Sequence, residues 1–273
     1  MKPALKFFAG LWTLCGYPEP GREWSLAEKF AEVKRQGFDA IGGRFVPEAP
    51  ELCAAHGLDY ILYLDADGSD YADELRRAVA WRPRRVNVQL CDHDTPPEEA
   101  ARVWIAMEAL ARDLGLAIDL ELHRDTATET PEKAFAIADL FRAATGRIAR
   151  FCLDFSHFAV TKHLMPPFAP RLLARPEVIA GARQIHLRPF NGHHAQVPAT
   201  DGRGQLTPEF RDYLVFVEEL FALIQSNAGA DEVVYACPEN GPPTPGGYAL
   251  SCFPDVWQDA IRVRDETRRR WAQ

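Results

Sequence analysis

Four stretches of the chain end in side chains that can do chemistry. Residues 116–123 close on Glu121 and His123, and residues 149–155 close on Asp154, followed by Ser156 and His157. Residues 184–188 carry His186 and Arg188, and residues 232–238 run directly into Glu239. Acids and histidines are costly to bury unless they are paired or bind a metal. Any one of these residues alone reads equally well as a solvated polar group at a loop mouth. Four consecutive strand-like segments, each ending in a potential ligand, favour a shared site for a cation or for proton transfer.

The segments themselves show how such residues would be aimed. Side chains alternate between the two faces of a strand. Ile118, Leu120 and Leu122 then share one face, and Asp119, Glu121 and His123 the other. Val86, Val88 and Leu90 oppose Asn87 and Gln89; Ile185 and Leu187 oppose Gln184, His186 and Arg188. Strands are expected at 5–12, 38–42, 58–64, 85–90, 116–123, 149–155, 184–188 and 232–238. Helical patterns separate them, with start signals at Ser25 (paired with Glu28), Thr95-Pro96-Pro97-Glu98, Thr130-Pro131 and Thr207-Pro208. A last helix is expected from near Pro254.

Repeated strand–helix alternation implies a parallel α/β sheet, and eight units in 273 residues match a single (β/α)8 TIM barrel spanning 1–273. The competing open, doubly wound sheet lacks its glycine-rich loop: Gly16-Tyr17-Pro18-Glu19-Pro20-Gly21 does not have GxGxxG spacing. Barrel enzymes keep their chemistry at the C-terminal ends of the strands, where these acids and histidines fall. The long irregular stretch 189–206, rich in Gly and His, is expected to be functional.

In strand order, E-x-H at Glu121, D-x-S-H at Asp154, I-H-L at His186 and P-E at Glu239 resemble the xylose isomerase-like barrel superfamily. That group includes ketose 3-epimerases, hydroxypyruvate isomerase, inosose dehydratase and endonuclease IV. The strings Glu121-Leu122-His123-Arg124-Asp125-Thr126, His193-His194-Ala195-Gln196-Val197-Pro198 and Pro238-Glu239-Asn240-Gly241-Pro242 resemble its sugar phosphate isomerase/epimerase branch.

The resemblance implies one divalent metal held by Glu121, Asp154, His186 and Glu239. A mostly oxygen donor set suits Mn²⁺ first, with Mg²⁺, Zn²⁺ or Co²⁺ as alternatives. It also implies a small sugar or keto-polyol substrate, with Glu121 and Glu239 as the acid/base pair of an enediolate isomerase or epimerase. His157, His123, Arg188 and Trp12 are the candidate substrate-binding residues, Trp12 through stacking on a sugar face. A metal-dependent dehydratase or lyase is the close rival, since the same enolate can expel a β-hydroxyl. Endonuclease IV-like repair fits less well. Strand three ends in Leu64-Asp65-Ala66-Asp67 without histidine, and Asp201-Gly202-Arg203 stands where that family has D-x-H. A non-catalytic sugar-binding barrel would have lost a ligand, and all four are present. A homodimer is implied by resemblance alone. Arg44, Arg124, Arg188 and Arg203 could receive an anionic group.

A net charge of −8 argues against nucleic acid as a partner, and no apolar run is long enough to span a membrane. Lys2, Lys6 and the apolar stretch to Cys15 faintly resemble a leader, but Lys6 interrupts it and no small-x-small site follows. The six cysteines form no CxxC pair and read as reduced thiols of a cytoplasmic chain.

Overall fold

A computed structural model describes residues 2–19, 21–67, 69–243 and 247–273. Met1, at the head of the leader-like stretch, and Pro20, within the string 16–21, lie outside them. Eight parallel strands, β1 (Ala4–Gly10), β2 (Ala40–Gly43), β3 (Asp59–Ala66), β4 (Arg85–Leu90), β5 (Ile118–Glu121), β6 (Phe151–Leu153), β7 (Gln184–His186) and β8 (Val233–Cys237), close into a barrel in sequence order. Pairing of Ala4–Phe7 with Val233–Ala236 completes the ring.

The helices are α1 (Leu26–Arg35), α2 (Ala49–His56), α3 (Tyr71–Ala78), α4 (Pro97–Asp113), α5 (Pro131–Thr145), α6 (Phe155–Thr161), α7 (Ala169–Leu172), α8 (Pro176–Ile179), α9 (Pro208–Asn227) and α10 (Val256–Ala272). No helix among the described residues is long and apolar enough to cross a membrane. Ser25 and Glu28 form the expected capping box on α1, and Thr130 and Thr207 cap α5 and α9 through the N–H groups of Lys133 and Phe210. Thr95 does not cap α4. Pro96 holds that position, and the Thr95 hydroxyl instead donates to Asp92 Oδ1 at 2.7 Å.

Alternation divides the strands as the sequence demands. Phe7, Val86, Val88, Leu120, Leu153, Ile185 and Val234 pack outward in the large core shared with the helices. Phe8, Ala40, Ile61, Tyr235 and Cys237 form a separate apolar plug, with Tyr63 packed against it. On the strand-start side, Arg85 grips Asp119 with Nε and Nη2, Lys6 meets Asp59 at 2.7 Å, and Tyr235 Oη donates to Asp59. The lumen is thus sealed beneath its C-terminal end.

Four strands, β1, β5, β6 and β7, stop two residues before their patterns suggested, because ladder pairing stops where the loops turn. β5 ends at Glu121, leaving His123 in the following loop; β7 ends at His186, leaving Arg188 beyond it. β6 ends at Leu153, and Asp154 becomes the cap of α6, accepting from Ser156 N–H at 3.0 Å and from the Ser156 hydroxyl at 2.6 Å. Trp12 likewise lies past the end of β1, in a turn.

Candidate functional site

Register brings the four strand ends together. Glu121 pairs with Cys152, two residues before Asp154; His186 pairs with Cys237, two residues before Glu239. A spacing of two keeps the same face, so all four side chains point into the lumen. One ligand atom from each of Glu121, Asp154, His186 and Glu239 lies within 4.8 Å of the others, and all four residues are buried.

His186 is the centre of this group. Its Nδ1 is 3.0 Å from Glu121 Oε1, 3.1 Å from Glu239 Oε2 and 4.0 Å from Asp154 Oδ2. Yet among the described residues neither ring nitrogen has an aligned hydrogen-bond partner. An orphaned buried nitrogen facing three carboxylates is the arrangement of a metal ligand rather than of a hydrogen-bonded core histidine. The residues therefore fit a divalent cation, with Glu121, Asp154, His186 and Glu239 as its holders. Phe8 and Tyr63 set the imidazole edge-on, at centroid distances of 6.2 and 6.0 Å.

The electrostatics follow from burial and neighbours. Burial works against the Glu121 carboxylate, but His186 outweighs it and holds the group down at about 2. Burial likewise opposes ionised Asp154, while Arg188 and then His157 keep it well below the usual carboxylate range. Burial would lower His186, but Cys152, Glu239 and Glu121 raise it well above its ordinary value. For His157 burial wins over the attraction of Asp154, so this imidazole is shifted down. Its Nε2 is buried without a partner, 3.4 Å from Asp154 Oδ2.

Asn87 Nδ2 donates to Glu121 Oε2 at 2.8 Å, and the Thr128 hydroxyl holds the Glu121 carbonyl at 2.5 Å. Arg188 Nη2 donates both to Asp154 and to Glu239 Oε2, the latter at 2.7 Å. The expected arginine is thus a bridge between two metal-ligand candidates.

A cavity of about 550 Å³ opens above this cluster, lined among others by Trp12, Tyr63, Gln89, His123, Arg124, Arg188, Glu239 and Tyr248. His123 packs on His157 at 4.4 Å, His157 on Tyr248 at 6.2 Å, and Tyr248 on Trp12 at 5.6 Å. Trp12 also lies directly over Gly241, where a Cβ would come within 2.3 Å of its ring. Gln196 fixes that glycine from the other side, accepting from its N–H at 2.6 Å and donating to its carbonyl at 3.1 Å. Tyr248 and Asn87 carry no motif of their own, and Gln196 sat inside a recognised string without a role. Only the pattern of inward positions on strand four hinted at Asn87.

The remaining candidates fall elsewhere. His193 and His194 are exposed and bind Asn191 through their backbone N–H groups; His93 is exposed and pairs with Asp125 at 2.9 Å. All six cysteines are free. A second cavity of about 500 Å³, around Arg85, Trp104, Arg112 and Arg150, lies at the strand-start end and contains none of the four ligand candidates.

No protein-family model and no curated protein matches the sequence. Solved structures do match its shape over nearly the whole length. A D-allulose 3-epimerase from Methylomonas sp. aligns with a TM-score of 0.58 at 15% identity, covering 98% of this chain and 96% of its own. A xylose isomerase-like TIM barrel protein from Mycobacterium smegmatis in complex with magnesium gives 0.58 at 14%, covering 97% of each. A probable 3-DHS dehydratase of petrobactin synthesis from Bacillus anthracis gives 0.62 at 12%, covering 95% of this chain and 98% of that one. Sugar epimerases and a dehydratase thus share this architecture, and at these identities the likeness is one of fold: the chain is a closed (β/α)8 TIM barrel.

Proposed function

We propose that the chain is a metal-dependent isomerase or epimerase of a small polyhydroxy carbonyl compound. The observation that carries this reading is the pair Glu121 and Glu239, both close to His186 Nδ1, at 3.0 and 3.1 Å, beneath a cavity of substrate size. A divalent cation held by Glu121, Asp154, His186 and Glu239, Mn²⁺ being the first choice for this donor set, would polarise a substrate carbonyl and acidify the neighbouring C–H.

The side chains divide the remaining work. Glu239 lines the cavity, and one carboxylate oxygen is steadied by Arg188, so it is suited to take the proton from carbon. Glu121 lies deeper and is held by Asn87; as the second member of the acid/base pair it would pass a proton taken up from solvent to the opposite face or the adjacent carbon. Arg188 offers positive charge to the enediolate oxygen. His157, whose protonation burial disfavours, would turn Nε2 towards a substrate hydroxyl. Trp12 and Tyr248 provide apolar ring surface for the sugar backbone.

Glu239→Gln tests the assignment. It should abolish exchange of solvent deuterium into the substrate while circular dichroism shows an intact barrel; full activity in this variant would reject it. The dehydratase reading is favoured by the dehydratase among the similar folds, and a product lighter by one water would decide for it.

A further inference from the structure

We infer that the substrate carries a carboxylate, received by Arg188 and Arg124 beside the cation site. This rests on the enediolate reading above and narrows its substrate class to sugar acids and keto acids rather than neutral sugars.

The first observation is the state of Arg188. Its side chain is 1% exposed, and Nη2 alone is engaged, by Asp154 and Glu239. Among the described residues Nε and Nη1 are buried with no aligned hydrogen-bond partner. Three of the five N–H donors of a guanidinium are therefore unmet next to the cavity, a costly condition that an anionic ligand would relieve. The second observation is Arg124. It is exposed, lines the same cavity and lies 4.6 Å from the centre of the Tyr248 ring, against which Arg188 also lies at 4.3 Å. Among the described residues Arg124 makes no ion pair, whereas the other cations of the mouth are matched, Arg44 by Asp65 and Lys29 by Glu23.

Charge balance agrees. Glu121, Asp154 and Glu239 are neutralised by a divalent cation together with Arg188, which leaves Arg124 as one surplus positive charge. One surplus charge matches a carboxylate better than a phosphate ester, which carries close to two negative charges.

The test is calorimetric binding to metal-loaded protein, using unreactive pairs of an aldonate and the alditol of the same configuration, from four to six carbons. Each pair differs only in the carboxylate. In at least one pair the aldonate should bind about tenfold tighter than the alditol, as expected for charge-assisted hydrogen bonds. Arg124→Gln, an exposed change, should lower aldonate affinity by at least about threefold and leave alditol affinity unchanged. Metal-dependent binding of alditols as tight as their aldonates would overturn the inference and leave the enediolate reading standing. Tighter binding of an alditol phosphate would overturn it in favour of a phosphorylated substrate. Failure of every aldonate and alditol to bind metal-loaded protein would overturn both.

Discussion

Nδ1 of His186 stands 3.0 Å from Oε1 of Glu121 without forming an aligned hydrogen bond. Two groups held this close, both fully buried, need a third to reconcile them. Replacing His186 by Ala should therefore lower divalent-metal affinity by at least about 100-fold, beyond the ~10–100-fold typical of a residue that only supports a ligand. Calorimetric titration of apo-protein with MnCl₂ measures this. Added metal should also raise the melting temperature of the wild type and not of the variant.

Gly241 is where the site tolerates no side chain. A Cβ there would lie 2.3 Å from Trp12 Cη2, so Gly241→Ala must displace the indole. The overpacking should cost ~1–3 kcal/mol in urea unfolding. Indole fluorescence should change and substrate KM should rise, with metal affinity unaltered. A variant with wild-type KM would show that Trp12 does not contact substrate.

Beneath the site, Arg85 and Asp119 are buried together and paired bidentately through Nε and Nη2. Asp119→Ala leaves a buried cation without its partner and should destabilise by ~3–5 kcal/mol. Replacing both residues by apolar ones of similar volume should restore much of that loss. Urea titrations of the single and double variants make the comparison.

Glu232 sets an acid-sensitive contact far from the cavity. Its hydrogen bonds to Arg183, at 2.8 and 3.0 Å, depress its carboxyl from 4.5 to about 2. A depressed carboxyl stabilises the fold fully above its unfolded value and loses that contribution as pH falls from 4.5 towards 2. Glu232→Gln should therefore show a shallower loss of stability over this window than the wild type. Parallel acid-unfolding curves for the two proteins would rule the contact out as a contributor.

Periodicity alone made much of this legible. The alternation in β5, Asp119 and Glu121 against Ile118 and Leu120, already tells which side chains face the lumen and which meet helices, because the strand repeat of two is a local property of the backbone. The order Glu121, Asp154, His186, Glu239 likewise needed only strand counting. Helix starts at Ser25, Thr130 and Thr207 were readable for the same reason, since a cap is made within four residues; at Thr95 a nearby rival, Asp92, took the hydroxyl. Tertiary structure decided everything that depends on loops meeting. Trp12 lies far in sequence from Gly241 and Tyr248, and no local pattern records that its ring rests on them. Arg188 shows the division within a single residue. Its place two positions after His186 aims it at the lumen, but its bridging of Asp154 and Glu239, and the donors left unmet, follow only from the closure of β6, β7 and β8 into one wall. The chemistry of each side chain is written locally, whereas its partners are fixed by barrel closure, which brings strand ends tens of residues apart within a few ångströms.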